Sequence, residues 1–149
     1  MKLVLLFLLD GYADWEAGFT SAKLNKPDLG YCVRTISIEK KAIISQGNFS
    51  TNIDYSLDSF CAYDKLAAFL LIGGTGWESE RLIRSSSLNL YDVYTSTRIA
   101  GLVDKCLSLG IPVAAICDGA TFLADKGYLD DKVHTGNMLT YLKEKAPFY

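Results

Sequence analysis

The stretch VAAICDGATFLA (residues 113–124) decides the fold, because a short apolar run passes through a cysteine directly into a helical pattern. The small apolar residues before Cys117 are typical of a buried strand, and apolar side chains recur at helical spacing after it. A tight turn between a strand and a helix needs small residues two positions before and two positions after its central residue. Ala115 and Gly119 occupy those positions, so the sequence predicts a nucleophile elbow with Cys117 at its tip.

Cys117 has two interpretations at this point. The N-terminus of the following helix would favour the thiolate, and we therefore expect it to lower the pKa of the cysteine. Free cysteines are, however, more often small buried residues without a chemical role. The local pattern alone does not choose between a nucleophile and a core residue.

The rest of the chain alternates between strand and helix patterns. Three continuous apolar runs indicate strands that are covered on both faces, and a fourth segment alternates like a half-buried strand. These are KLVLLFLL (2–9), KLAAFLLI (65–72), IPVAAIC (111–117) and YCVRTISI (31–38). A short hairpin is predicted at Gly47 and Asn48.

Helices are predicted between these strands. The first covers residues 15–24 with Asp14 as its N-cap, the second covers 91–110, and the third covers 119–127. The second places Val93, Ile99, Leu102, Val103, Cys106 and Leu107 near one face. Strands that alternate with helices predict an α/β fold: a doubly wound, flavodoxin-like, mostly parallel sheet in a three-layer sandwich.

Composition excludes several classes of protein. The 149 residues correspond to a single domain (1–149), and 15 basic against 17 acidic residues, without a basic run, argue against a nucleic-acid partner. No apolar run approaches the roughly 20 residues that span a bilayer, so no membrane partner is expected. The segment MKLVLLFLLDG (1–11) is better explained as a strand than as a signal peptide. Four cysteines without C-x-x-C spacing and a single histidine argue against a metal site and favour a cytoplasmic protein.

Three further features are candidates for a functional role. The turn LIGGTGW (71–77) offers backbone N–H groups that could hold an oxyanion, although it could equally be only a tight turn. Glu16 lies where a helix begins and could be a functional carboxylate or a surface capping charge. His134 could be a general base or a hydrogen-bonded loop residue.

The segments GYADWE (11–16), LLIGGTGW (70–77) and PVAAICDGATFLADKGYLDDKVHTGN (112–137) together resemble the ThiJ/PfpI superfamily, from Leu3 to about Tyr141. That group has the class I glutamine amidotransferase-like fold and includes the Parkinson-linked human deglycase and intracellular cysteine peptidases. The resemblance implies that Cys117 is the elbow cysteine and that Glu16 is the acidic residue hydrogen-bonded to it. It also implies an oxyanion hole made by Gly74 and the backbone of Asp118, a possible catalytic base at His134, and a homodimer.

Two departures from the family pattern bear on function. Peptidase-like members carry a histidine directly after the nucleophile, where this chain has Asp118, which argues against peptidase activity. Family members usually continue beyond the HTGN motif (134–137), so we expect this domain to lack the C-terminal segment of the family.

The sequence therefore predicts an amidotransferase-like hydrolase or lyase that attacks a small carbonyl or amide substrate through Cys117. It is expected to need no cofactor and no metal. An alternative is a non-catalytic redox or stress-response sensor in which the same cysteine is oxidised. A third possibility is a shortened copy that folds but has little activity.

Overall fold

A computed structural model of the chain describes residues 1–79, 82, 90–146 and 149. The strands among them are β1 (Lys2–Phe7), β2 (Tyr31–Ser37), β3 (Ile43–Ile44), β4 (Ser50–Thr51), β5 (Tyr55–Ser56), β6 (Leu66–Leu71) and β7 (Val113–Ala115). The α-helices are α1 (Asp14–Leu24), α2 (Gly76–Ser79), α3 (Leu90–Ser108), α4 (Asp118–Asp125) and α5 (Leu139–Lys145). Pro27–Leu29 and Tyr63–Lys65 form single turns of 3-10 helix.

The central sheet consists of five parallel strands in the order β5-β2-β1-β6-β7. Val4 in β1 pairs with Val33 of β2 on one side and with Ala68 of β6 on the other. The chain moves outward from β1 to β2 and later crosses to β6, so the strand order reverses beside β1. In sheets of this kind, ligands bind at the carboxyl ends of the strands near that reversal. The predicted doubly wound, parallel fold is confirmed.

The sheet separates two apolar layers, because successive side chains of a strand point to opposite faces. Phe7 packs in one layer with Ile99 of α3 and Phe122 of α4. Leu6, its neighbour in β1, packs in the other layer with Ala17 of α1. Helices therefore lie on both faces of the sheet, as the sequence predicts for a three-layer sandwich.

The start of α1 differs from the prediction. Ala13 occupies the N-cap position without a side-chain capping bond, and the helix begins at Asp14. The Asp14 carboxylate instead accepts a 2.9 Å hydrogen bond from the N–H of Gly47, between β3 and β4. This bond ties the first residue of α1 to the hairpin of β3 and β4, and so fixes the position of the first turn of the helix.

The buried face of α3 is predicted correctly at its centre and wrongly at its ends. Ile99, Val103 and Cys106 have no exposed surface, whereas Val93 is 45% exposed and Leu107 is 49% exposed. The side chains at both ends of the predicted buried face are therefore exposed.

Helix α5 and strand β5 are not predicted from the sequence. Leu142 and Ala146 at the C-terminal end of the described chain pack against Ala124 of α4. Because α4 follows the cysteine directly, this contact brings α5 close to the predicted elbow.

Candidate active site at the cysteine elbow

Cys117 lies at the tip of a sharp turn between β7 and α4, with φ 53° and ψ −124°. A positive φ is uncommon for residues other than glycine and costs about 1–3 kcal/mol, so the surrounding structure must hold the turn. Gly119 shows why the flanking residues are small, because a Cβ there would lie 2.5 Å from the carbonyl oxygen of Leu71. The predicted turn is present, and the side chain of Cys117 is half-buried at the carboxyl edge of the sheet.

The turn after β6 brings two glycines against this elbow. A Cβ on Gly73 would lie 2.5 Å from the Cβ of Cys117 and 2.8 Å from Oε2 of Glu16, so a larger residue cannot fit without displacement. Gly74 has φ 128°, and a Cβ there would lie 2.6 Å from the Cα of Tyr12. The turn requires glycine at both positions and allows its backbone to approach the cysteine closely.

Glu16 lies in the first turn of α1, and its Oε2 accepts a 2.8 Å hydrogen bond from the N–H of Gly73. Glu16 and Cys117 therefore flank the same glycine and are neighbours. The resemblance predicts a hydrogen bond between these two side chains, but none exists among the described residues. Burial raises the pKa of Glu16, the Gly73 N–H lowers it, and the charge of Asp118 raises it again.

The pKa of the Cys117 thiol lies above its ordinary value, chiefly because burial disfavours the thiolate. The charge of Asp118 raises this pKa further, and that of Glu16 also contributes. The backbone N–H groups of Asp118 and Gly74 act in the opposite direction, by hydrogen bonding to the thiolate. The expected lowering of the thiol pKa is therefore wrong, because burial and two carboxylates outweigh the N–H groups.

In the sequence, the Asp118 side chain stands out only as a replacement for the histidine of peptidase-like members, and its hydrogen bonds are not predicted. Asp118 is 8% exposed. Its Oδ1 accepts hydrogen bonds from the Tyr141 hydroxyl at 2.8 Å, the Thr121 hydroxyl at 3.4 Å and the Asn137 amide at 3.4 Å. Tyr141 lies on the unpredicted helix α5, so no sequence pattern connected it with the cysteine.

Opposing effects act on the Asp118 carboxyl. Burial raises its pKa, the hydrogen bond from Tyr141 lowers it, and the charge of Glu78 raises it. The hydrogen bond from Thr121 and the charge of Lys145 lower it further. Lys145 also forms a 2.6 Å ion pair with Glu78, which joins α5 to α2 beside the elbow.

His134 is held in a different place from the one expected of a catalytic base. Its Nε2 lies 3.1 Å from the hydroxyl oxygen of Tyr149, and the two rings pack edge to face with their centroids 5.6 Å apart. The structure shows no hydrogen bond from His134 to Cys117, Glu16 or Asp118. A general base must come within hydrogen-bond reach of the proton that it moves, so the role of His134 as the base stays a prediction.

Metal-ligating side chains do not gather in the described part of the chain. Within residues 1–79, 82, 90–146 and 149, no group of three or more His, Cys, Asp or Glu side chains could hold a metal ion. All four cysteines are free thiols. None of the described helices has the length and apolar character needed to cross a membrane.

These features place the protein among the α/β proteins that carry a cysteine at a sharp turn between a strand and a helix. The cysteine lies at the carboxyl edge of the parallel sheet, beside a glycine turn and a glutamate. The model of the DJ-1/PfpI family matches residues 2–146. The chain belongs to the DJ-1/PfpI family, and the resemblance found in the sequence is confirmed.

Two relatives from Bacillus subtilis (strain 168) are named as proteases without a characterised activity. The first, YdeA, is 31% identical over 144 residues, which are 97% of this chain and 64% of that protein. The second, YoaZ, is 32% identical over 154 residues, which cover 99% of this chain and 66% of that protein. The chain thus spans about two thirds of the length of these curated relatives.

Solved structures agree with this assignment. A DJ-1 superfamily protein from Agrobacterium tumefaciens matches with a TM-score of 0.79 and 26% identity, over 100% of this chain and 70% of that chain. A thiJ/pfpI family protein from Bacillus anthracis matches with a TM-score of 0.76 and 32% identity, over 99% of this chain and 66% of that chain. These matches support the family and the fold.

Proposed function

We propose that the protein is a cysteine-dependent hydrolase or lyase that acts on a small carbonyl or amide compound through Cys117. The observation that carries this proposal is the backbone of Cys117, which is held at φ 53° next to the N–H groups of Gly74 and Asp118. Strained backbone of this kind persists at functional sites because the surrounding structure maintains it.

The arrangement supports nucleophilic attack on a carbonyl carbon. A bond forms between Sγ and the carbonyl carbon, the C=O π bond breaks, and the N–H groups of Gly74 and Asp118 are placed to stabilise the developing oxyanion. The raised pKa of Cys117 keeps most of the thiol protonated at neutral pH, so its proton must leave during the attack. We propose Glu16 as the acceptor of that proton, because its carboxylate and the cysteine flank the same glycine.

With an amide or ester substrate, the tetrahedral intermediate collapses with loss of the protonated leaving group and leaves an acyl group on Sγ. Water then hydrolyses the thioester. With an aldehyde, the attack gives a hemithioacetal, and the proton from the thiol ends on the former carbonyl oxygen. We propose a small substrate rather than a peptide because Asp118 occupies the position of the histidine found in peptidase-like relatives.

An activated ester tests this proposal. p-Nitrophenyl acetate should acylate Cys117 and release a stoichiometric burst of p-nitrophenolate, and mass spectrometry should find the acetyl group on Cys117. Cys117→Ala should abolish the burst, whereas Cys61→Ala should retain it, because Cys61 is exposed and outside the elbow. A burst that survives Cys117→Ala would contradict the proposed nucleophile.

A second candidate function uses the same thiol as a redox or stress-response sensor. The N–H groups of Gly74 and Asp118 could also hold the oxygen atoms of a sulfinate, which is the observation that favours it. The raised pKa of the Cys117 thiol argues for slow oxidation, since the thiolate is the form that reacts with peroxide. A sensor requires hydrogen peroxide to oxidise Cys117 before the exposed Cys61, and the order of oxidation can be followed by peptide mass spectrometry.

We also propose a homodimer in the cytoplasm. On the α1 side of the sheet, Ala68, Leu70 and Ile116 are only half-buried, and α1 itself exposes Trp15 and Phe19. Apolar surface of this kind supports association with a second copy. Sedimentation at low micromolar concentration should give the mass of a dimer, and a monomer would contradict this part. The four free cysteines support a reducing compartment.

A further inference from the structure

The proposed function leaves one chemical role unassigned, the base that activates water to release an acyl group from Cys117. His134 is bonded to Tyr149, at the end of the described chain. Oε2 of Glu16 is occupied by the N–H of Gly73. His134 is therefore not directed to this second step, and the Glu16 carboxylate, which is proposed to accept the thiol proton in the first step, is held by only one hydrogen bond within the described part of the chain.

The Asp118 carboxyl is buried beside the elbow and is held there by hydrogen bonds, which makes it the candidate for this role. Its Oδ1 accepts three hydrogen bonds, of which the 2.8 Å bond from Tyr141 is the shortest. Its Oδ2 has no hydrogen-bond partner among residues 1–79, 82, 90–146 and 149. Oδ1 is thus fixed by side chains from α4, from α5 and from the segment between them, and Oδ2 is left for a water molecule. Asp118 also follows Cys117 directly in the chain, and its charge acts on the thiol.

We propose that Asp118 is the base for hydrolysis of the acyl-enzyme and that Tyr141 is the positioning residue that holds its carboxyl. This inference rests on the proposed function of Cys117. Water attacks the thioester carbon, and its proton moves to Oδ2 of Asp118 as the new C–O bond forms. The C–S bond then breaks, and the departing thiolate receives the proton from Asp118. The acid product leaves, and the thiol and the carboxylate are restored.

Tyr141 contributes by keeping a buried carboxyl available as a base. Burial favours the protonated form of Asp118, and the hydroxyl of Tyr141 offsets this by donating to the carboxylate. The charged groups that face Asp118 are Glu78 on α2, Lys145 on α5 and Glu16 on α1. A pKa that remains above the ordinary value brings this carboxyl closer to neutral pH, where general bases are most effective.

The experiment separates acylation from deacylation with p-nitrophenyl acetate. The burst reports attack by Cys117, and the steady rate after it reports hydrolysis of the thioester. Asp118→Asn should keep the burst and slow the steady rate by about 10²-fold or more, which is a typical contribution of a general base. Tyr141→Phe should move the acid limb of the steady rate to higher pH, because Asp118 loses a hydrogen bond that lowers its pKa.

A matched tyrosine controls for a purely structural effect. The Tyr128 hydroxyl donates to Asp104 at 2.7 Å on α3, so Tyr128→Phe removes a similar hydrogen bond in another part of the fold. It should leave the acid limb unchanged. In the Asp118→Asn background, Tyr141→Phe should have no further effect on the steady rate, since it acts only through the carboxylate.

Two readouts keep the inference separate from the proposed function. If the unaltered protein shows no burst, Cys117 is not the nucleophile, and this result does not depend on which residue is the base. A carbon-13 NMR titration of the Asp118 carboxyl should still show a higher pKa in Tyr141→Phe than in the unaltered protein. An unchanged carboxyl pKa overturns the role of Tyr141, and a steady rate within about twofold of normal in Asp118→Asn overturns the role of Asp118.

Discussion

Burial raises the pKa of both Cys106 and Cys117, but only one of them is placed for chemistry. Cys106 has no exposed surface on α3, and burial alone raises its pKa to about 11. Cys117 is half-buried, and the raising effect of burial on its pKa is opposed by two backbone N–H groups. The comparison shows that the candidate nucleophile is distinguished by its access and its hydrogen-bond donors, since burial by itself gives an inert thiol.

The largest expected effect is the ratio of the alkylation rates of these two cysteines. Iodoacetamide should modify Cys117 at least about 10³-fold faster than Cys106, because Cys106 reacts only after the core opens, with an equilibrium constant on the order of 10⁻³ or smaller. Peptide mass spectrometry of time points measures both rates in one sample. Similar rates in the folded protein would mean that the elbow gives Cys117 no advantage over a core thiol.

The second prediction disrupts only the Cys117 side of the comparison. In Gly73→Ala, the new methyl group collides with the Cβ of Cys117 and with the Glu16 carboxylate. A strain of about 1–3 kcal/mol should displace the thiol and lower its alkylation rate by about tenfold or more, without exposing Cys106. Gly101→Ala is the matched control, because nothing lies within 4 Å of a Cβ at that position on α3. A normal rate in Gly73→Ala would show that the close packing at this glycine does not position the thiol.

The elbow could be predicted from the sequence because its rule is local. A strand that turns sharply into a helix needs small residues at Ala115 and Gly119, and both lie within two positions of the cysteine. The burial of Cys106 follows from helical periodicity, which also depends only on neighbouring residues. The parallel sheet follows from the alternation of strands and helices over the whole chain.

The environment of the thiol could not be predicted in the same way. Asp118 and Tyr141 are 23 residues apart, and their hydrogen bond depends on how α5 packs against α4. α5 has only seven residues, too few for a clear helical period in the sequence. The predicted direction of the pKa shift of Cys117 is wrong, because the shift depends mainly on burial. The position of the cysteine before a helix N-terminus does not show how deeply it is buried.

The third prediction changes the electrostatics of the elbow without changing its shape. Asp118→Asn removes a negative charge that raises the pKa of Cys117, so this pKa should fall. The pH dependence of the Cys117 alkylation rate measures the shift. Asp104→Asn provides the control, because it neutralises a carboxylate that is bonded to Tyr128 on α3. An unchanged midpoint in Asp118→Asn would mean that the carboxylate does not act on the thiol.

The smallest expected effect is on stability, and it has a defined direction with pH. Burial in the folded state raises the pKa of Asp118 above its ordinary value. The stabilising contribution of this group is therefore complete below its unfolded pKa and is lost as the pH rises through the folded value. At neutral pH the ionised carboxyl destabilises the protein, so the melting temperature of Asp118→Asn should exceed that of the unaltered protein by a few degrees. At acidic pH this difference should shrink, because the carboxyl of the folded protein becomes protonated as the pH falls through its raised pKa. Cys106→Ser gives the contrast, since a hydroxyl group in the apolar core should lower the melting temperature at both pH values. A melting-temperature difference for Asp118→Asn that is equal at both pH values would show that Asp118 carries no raised pKa.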